Sequence, residues 1–516
     1  MKNKYIYVGI ILALLPILIF RDYTPDNELR YLSIVDEALR NGNFMTFSFQ
    51  GLIYADKPPL YFWIIMLGKV LFGTHCMLFI SLFSLLPALG ITHIMDRWVR
   101  EELPESYREA GIYLMMSCGL FLGMAIVLRM DMLMCLFIVL ALRTFYKMWK
   151  NEGNHRVQSY LFPIYLFMAL FSKGPLGLVV PLASTVLFLL YKRQIRSVAR
   201  YWGAKTWSVL LLEGGLWFAG VFIERGSDYL HDLLFRQTFG RMVGSFHHAE
   251  PFYYYFTSIW YSLAPWAFLF IGVIVTSLVR KKIKTDLQQF FLATLIATFV
   301  FLSLVSAKIA VYMLPAFPFF AYLTVLLLPQ FRWNRWLGLS VAIPALIFGV
   351  ALPGFLICTM QKGMEFLKQG FFYAGASLLT VSGLIALYVL YRKKDILRPI
   401  RTLVVGLFVA VFVSGWAIPS INSEMGYSAV CTKAMEVSSE KHLSGYHVWK
   451  MRRSESMDVF LQEDVCTVST EDILSDKLNE TILMLPSRKL SGEGQLENFF
   501  SDKEKYVVGP YLIVVL

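Results

Sequence analysis

Long apolar runs alternate with short charged stretches along this chain, and the lengths of the runs are the first clue to its architecture. Stretches of about 17–25 apolar residues recur, the length a helix needs to cross a hydrocarbon layer of roughly 30 Å. The pattern predicts spans at 5–20, 77–95, 110–128, 131–149, 159–172, 175–191, 207–223, 256–279, 289–305, 310–329, 336–358, 370–390 and 402–419, about thirteen in all. The first run, Tyr5 to Phe20, follows Lys2 and Lys4 as a signal peptide would. It has no small-residue cleavage site and is followed by Arg21-Asp22-Tyr23, so it reads as a retained span. From Ser420 the pattern changes. Short β-prone runs at 466–468, 481–485, 506–508 and 511–515 are separated by helix-like stretches. The fold class expected is an all-α polytopic membrane domain over 1–419 with a small α/β domain over 420–516. An amphipathic helix from about 27 to 41 is expected in the long first loop, 21–76.

Composition agrees with the periodicity. Apolar residues make up 57% of the chain and charged ones only 16%, too little polar surface to disperse a soluble chain of this size. The net charge of +12 follows from topology. Lys192-Arg193, Arg280-Lys281-Lys282, Arg332 with Arg335, and Arg392-Lys393-Lys394 all fall on one side of the span map, together with the N-terminus. The excess of Lys and Arg marks that side as cytoplasmic. The basic groups sit in short loops beside the bilayer, which argues against a nucleic-acid partner. The first loop, the turns at 128–131 and 306–309, the 224–255 loop and the tail fall on the other side. For a bacterial cell this is an inner-membrane protein with those segments in the periplasm. Cys431 and Cys466 face an oxidising compartment, either as a disulfide or as separate thiols, and spacing does not decide between these. The other four cysteines lie in or beside spans and read as packing residues.

Charged side chains at membrane depth are costly unless they are paired or line a wet cavity, so each is a functional candidate. Asp26, Glu28, Arg30, Asp56, Lys57, Arg129, Asp131, Lys173, His247, His248 and Lys308 all map to the external face or within a turn of it. Snorkelling charges would favour the basic cytoplasmic ends instead. The concentration at one face predicts a polar cavity open to the outside. Cations there suit an anionic, lipid-linked substrate, where they would stabilise charge developing on a departing phosphate. A carboxylate would serve as general base, or would support a cationic sugar transition state. No Gly-rich loop followed by Lys-Ser or Lys-Thr implies ATP.

The segments Pro25-Asp26-Asn27-Glu28-Leu29-Arg30-Tyr31 and Tyr54-Ala55-Asp56-Lys57-Pro58-Pro59-Leu60-Tyr61 resemble the first external loop of the GT-C glycosyltransferases. Arg129-Met130-Asp131, Ser172-Lys173-Gly174-Pro175, His248-Ala249-Glu250-Pro251 and Ser306-Ala307-Lys308 with Tyr312-Met313-Leu314-Pro315 match the same family in the same order, over roughly residues 1–330. The resemblance is to the branch holding the bacterial lipid A aminoarabinose transferases and the protein O-mannosyltransferases. It implies sugar transfer from an undecaprenyl-phosphate carrier, with inversion, to lipid A, another glycolipid or a protein hydroxyl.

The resemblance also implies roles. An acidic pair in the first loop is expected at the catalytic centre. The family pattern is Pro-Asp-Glu-x-Arg-Tyr and this chain is one residue longer there, so alignment from Pro25 selects Asp26 and alignment from Arg30-Tyr31 selects Glu28. Asp26 is slightly favoured, and it is also a natural helix cap. Lys57 resembles the lysine that binds carrier phosphate. Lys308 and Tyr312, four apart on one helix face, are expected near the same phosphate. Arg129 and Asp131 either bind phosphate and sugar or pair with each other, and Arg30 and Lys173 complete the cavity. Asp56 and His248 are the implied start of a divalent metal site, zinc by its chemistry, although the reaction requires no cofactor. A lipid or solute transporter is the rival class, but it should show related halves and charges near the midplane. A membrane scaffold would need no such constellation.

Overall fold

The apolar runs fold as helices because their backbone polar groups have no other partner in lipid. The computed structural model describes residues 3–234, 250–475 and 478–516. Among the described residues seven helices are long and apolar enough to cross a membrane, and up to ten spans result if each sharply bent helix pair counts as one. The chain is a mostly helical, multi-pass membrane protein with a small sheet domain at its C-terminal end. The described residues fall into two compact units, 1–15 with 55–61 and 81–414, and 16–54 with 62–80 and 415–516.

In the first unit, Asp131–Lys150 and His155–Lys173 form a tight helical hairpin. Asn151 ends the first helix in the left-handed conformation, and the Asn154 side chain caps the second by accepting from the Arg156 and Val157 amides. Leu176–Tyr191 follows after Gly174 and Pro175. Gly174 has φ +116° and ψ −158°, a conformation open to glycine alone. At Gly177 a Cβ would collide with the Ala169 backbone, so the two helices approach closely there. Phe145, Tyr146, Phe188 and Phe290 pack ring against ring in the interior, with centroids 5.0–6.5 Å apart. Phe317–Leu327 is buried at every residue. By contrast only 17% of the apolar window in Ala204–Leu234 is buried, as suits a helix that faces lipid.

The second unit combines most of the first loop with the tail. Pro25–Leu29 winds as a π-helical turn and continues into Arg30–Asn41. That helix is buried all round from Tyr31 to Val35, Ser33 included, and again at Ala38, while Asp36, Glu37 and Arg40 are less buried. The tail sheet has five strands, β3 (Tyr446–Val448), β4 (Val465–Thr467), β5 (Ile482–Pro486), β6 (Lys505–Val508) and β7 (Tyr511–Val515), after the short first-loop strands β1 (Ser48–Phe49) and β2 (Leu52–Ile53). The order is β4-β3-β5-β7-β6, with β3 parallel to β4 and β5, and β7 antiparallel to β5 and β6. Trp449, Leu483, Leu485, Leu496, Phe500 and Val514 form its core. All six cysteines are free thiols, so the tail holds no disulfide. Cys431 is buried in a helix and Cys466 is exposed on β4.

Several expectations are corrected. The stretch 110–128 is broken into Glu105–Met116 and Gly119–Ile126, bent by 67°. Gly119 donates to the Ala264 carbonyl at 2.7 Å instead of continuing the first helix. Lys308 and Tyr312 do not share a helix face. Leu304 ends one helix, Lys308 lies outside any helix, Ile309 is extended, and Ala310–Ala316 is a 3-10 helix. Pro315 and Pro318, which lack a donor, disfavour regular α-helix through this segment.

Candidate functional site

In the first unit the ionisable residues form a cluster around one buried carboxylate. Asp131 is 1% exposed and accepts from Arg129 Nε at 3.0 Å and from Lys173 Nζ. Three local features aim these groups. Ser84 Oγ donates to the Val127 carbonyl at 2.8 Å and pins the turn that carries Arg129. Asp131 opens its helix. The glycine-only turn at Gly174 ends the helix that presents Lys173. The Lys173 ammonium also lies 4.8 Å from the centroid of the Tyr312 ring, within cation–π range. Lys57 lies close enough for its charge to act on Lys173, and its Nζ is 3.2 Å from Asp56 Oδ2. Pro58 and Pro59 follow it and restrict the backbone there. Lys308, 4% exposed, donates to the Glu250 carbonyl at 2.8 Å.

The structure brings Asp56, Lys57, Arg129, Asp131, Lys173 and Tyr312 together in this unit. Arg129 and Asp131 do pair, and the pair is extended by Lys173. Three cations against two carboxylates leave one positive charge, and the mutual pairing offsets the desolvation cost each buried ion would otherwise carry. His247 and His248 lie outside the described residues. Among the described residues no group of three His, Cys, Asp or Glu side chains could hold a metal. Asp56 with an ammonium beside it is a poor donor set for a cation.

In the second unit the two first-loop carboxylates occupy opposite environments. Glu28 is fully buried. Its two oxygens accept from Arg21 Nη1 and Nη2 at 2.7 and 2.6 Å, and Oε2 also accepts from the Thr24 amide at 2.8 Å. This is bidentate, charge-assisted pairing, among the strongest contacts available to a carboxylate. Asp26, two residues earlier, is half exposed, and its Oδ1 lies 3.1 Å from Arg452 Nε. It is not the helix cap, because Thr24 occupies that position and no side chain caps the turn. Arg30 donates to Asn27 Oδ1 at 3.2 Å and lies 5.8 Å from the Tyr54 ring centroid.

A second buried carboxylate in this unit, Asp458, has no signal in the sequence pattern. Its Oδ2 accepts from Ser33 Oγ at 2.9 Å and lies 3.9 Å from Arg40 Nη2. Oδ1 has no hydrogen-bond partner among the described residues. Burial pushes this carboxyl up to about 6, and the neighbouring Asp36 adds to the rise. At Asp36 burial pulls in the same direction, but hydrogen bonds from His75 and Lys69 outweigh it and hold the group below the usual carboxylate range. Arg21, Arg452 and Asp458 carry no sequence signal of their own, since each partner is defined only by the fold.

No family profile matches the chain. It is 25% identical over 488 residues to the undecaprenyl phosphate-alpha-4-amino-4-deoxy-L-arabinose arabinosyl transferase 1 of Pseudomonas fluorescens, covering 89% of this chain and 83% of that protein. It is 27% identical over 331 residues to the corresponding transferase of Aeromonas hydrophila. It is likewise 27% identical over 327 residues to an uncharacterised protein of Aquifex aeolicus. The chain spans only 59% and 62% of the lengths of these last two. Among solved structures, ArnT from Cupriavidus metallidurans bound to undecaprenyl phosphate superposes with a TM-score of 0.75 at 15% identity, covering 100% of this chain and 98% of that one. Its apo form gives the same TM-score. The resemblance to the GT-C glycosyltransferases is borne out: the chain shares the fold of ArnT and is similar in sequence to aminoarabinose transferases.

Proposed function

We propose that this protein is a membrane glycosyltransferase that moves a sugar from an undecaprenyl-phosphate carrier to lipid A or a related glycolipid. The observation that carries the reading is the cluster of Lys57, Arg129 and Lys173 around Asp56 and Asp131, with one positive charge in surplus. Its likeness in sequence to transferases named for that donor supports it. In this reading the chain crosses the inner membrane about thirteen times, with the reaction on the periplasmic side and the tail, from about residue 420, as a periplasmic domain.

The roles follow from the chemistry. Lys57, Arg129 and Lys173 hold the carrier phosphate, and Tyr312 keeps Lys173 in place. The bond between the anomeric carbon and the carrier oxygen breaks, and the phosphate leaves with a second negative charge that these cations stabilise. Lys308 gives a further cation in the same unit, and Arg30 steadies the turn that carries Asp26. Asp26 is the working carboxylate, because its side chain is open to solvent while Glu28 is committed to Arg21. Toward a hydroxyl acceptor Asp26 takes the proton. Toward a phosphate acceptor, already an anion, it supports the positive charge that develops on the sugar ring. The displacement is direct and inverts the anomeric carbon. The reaction as proposed uses no metal.

The test is transfer in vitro. Purified protein in nanodiscs is given radiolabelled undecaprenyl-phosphate aminoarabinose or hexose with lipid A, and separately with a protein acceptor. Label on lipid A, lost in Asp26→Asn and Lys57→Ala, supports the reading. Label on protein alone would move the assignment to a protein O-glycosyltransferase, and carrier binding without transfer to either acceptor would point to a transporter.

A further inference from the structure

The tail domain sends one side chain out to the first loop at a place where its own backbone is held in an unfavourable shape. Lys450 and Arg453 have φ of +51° and +57°, a region that side chains with a Cβ enter at a cost. Four contacts hold this backbone, two within it and one on either side. The Trp449 amide donates to the Met484 carbonyl at 3.0 Å. Lys489 Nζ donates to the Lys450 carbonyl at 2.8 Å, Tyr427 Oη donates to the Arg452 carbonyl at 2.5 Å, and Gln50 Nε2 reaches the Glu455 carbonyl at 3.0 Å. The neighbouring basic side chains are satisfied within the tail, Lys450 by Glu493 at 2.6 Å and Arg453 by Glu455 at 3.8 Å. Arg452 differs, since its ion-pair partner among the described residues is Asp26.

An ion pair this exposed, 79% at Arg452 and 50% at Asp26, contributes little to stability. Backbone strain maintained around a contact that stabilises so little is the pattern of a functional position. Asp26 itself stands in a turn without a side-chain cap, and burial does not fix its rotamer. We propose that Arg452 is a positioning residue for Asp26, so that the C-terminal domain forms part of the transfer apparatus. The guanidinium holds the carboxylate in one orientation. This rests on the assignment of Asp26 made above.

The experiment compares steady-state transfer in nanodiscs for wild type, Arg452→Gln, Arg452→Lys, Asp26→Asn and the Asp26→Asn/Arg452→Gln pair. Amide hydrogen exchange is followed over residues 24–34 and over β5 and β7. Misplacing a reacting group by an ångström costs up to about a hundredfold. Arg452→Gln should therefore lower kcat by between about tenfold and a hundredfold with donor KM unchanged. Arg452→Lys should recover much of the loss, and the double variant should be no slower than Asp26→Asn alone. Exchange should quicken over 24–34 and stay unchanged in the sheet, which shows the tail still folded. If Asp26→Asn turns over like wild type, the Asp26 assignment fails. If Asp26→Asn is inactive but Arg452→Gln keeps its kcat, or loses rate only through KM, the positioning role fails while the assignment stands. Unchanged exchange over 24–34 in Arg452→Gln overturns the positioning whatever the turnover.

Discussion

Replacing Glu28 and Asp26 separately should give opposite phenotypes, and the contrast can be worked from their surroundings. Glu28→Gln removes the charge that faces the Arg21 guanidinium, itself only 8% exposed. Breaking a buried pair from one side costs roughly 3–5 kcal/mol, because the remaining ion is left uncompensated. The Gln amide also places an N–H donor against an Arg that has only donors. For a unit of this size each kcal/mol moves the unfolding midpoint by about 2–4 °C, so a fall on the order of 10 °C is expected. Replacing both partners together, Arg21→Met with Glu28→Leu, should restore much of that stability. Asp26→Asn breaks only the exposed contact with Arg452, a change of about 0–1 kcal/mol. Its transfer rate should nevertheless fall by about 10²–10⁴, the range for loss of a positioned acid–base group. Thermal unfolding of the detergent-solubilised protein reads the first effect. Radiolabel transfer, measured well below every variant's midpoint, reads the second. A Glu28→Gln protein as stable as wild type but inactive would refute the reasoning, and so would an active Asp26→Asn.

Lys57→Ala should weaken donor use by about 10- to 100-fold, as expected for loss of a charge-assisted contact, with little change in acceptor KM; steady-state kinetics over donor concentration checks this. Gly174→Ala forces a side chain into a backbone region that costs of order 1–3 kcal/mol, and it should lower both stability and transfer by shifting Lys173, read by unfolding and turnover together. Asp458 gives a pH signature. Its folded-state value, about 6, lies above the ordinary carboxylate value of 3.8, so the stability it lends is complete below pH 4 and is lost as pH rises through 6. Asp458→Asn keeps an acceptor for Ser33 without the buried charge. It should match wild type at pH 4 and exceed it at pH 7 by on the order of 2–3 kcal/mol, measured as resistance of the tail to proteolysis; equal resistance at both pH values would refute it.

How much of this was legible in the sequence depended on the range of the interaction. Apolar periodicity gave the multi-pass helical character, the helix at Arg30–Asn41 and four of the five tail strands, because burial in lipid or against a core is a local compositional demand; among the described residues seven to ten spans stand against the roughly thirteen that the pattern predicts. The strand Tyr446–Val448 is not legible in the sequence. It has three residues, with His447 in the middle, and carries too little pattern. The break at Gly119 escaped because it is set by the Ala264 carbonyl, far along the chain. Lys308 and Tyr312 were misplaced by carrying a helical period through a segment that Pro315 disfavours. The identity of the ionisable residues was readable, but their partners were not. Arg21 marked the end of an apolar run and gave no sign of Glu28, and Asp26 and Ser33 meet residues more than four hundred positions away.

The charge arrangement in the first unit also explains why carboxylates stand among residues assigned to phosphate binding. Three cations held close together in a poorly solvated place would repel one another and lose their hydration. Asp56 and Asp131 remove most of that cost by pairing with Lys57, Arg129 and Lys173 while no substrate is bound. The surplus of one positive charge matches a carrier phosphodiester, which has one negative charge before the reaction. In the reaction proposed above the phosphate gains a second as the sugar departs, and would then compete with the carboxylates for cations already in position. Stabilisation therefore grows along the reaction coordinate, the condition for lowering a barrier rather than merely tightening binding. Asp131→Asn bears on this directly. Releasing Arg129 and Lys173 from their partner should tighten binding of the carrier phosphate and slow turnover, because the extra attraction would already be present in the ground state.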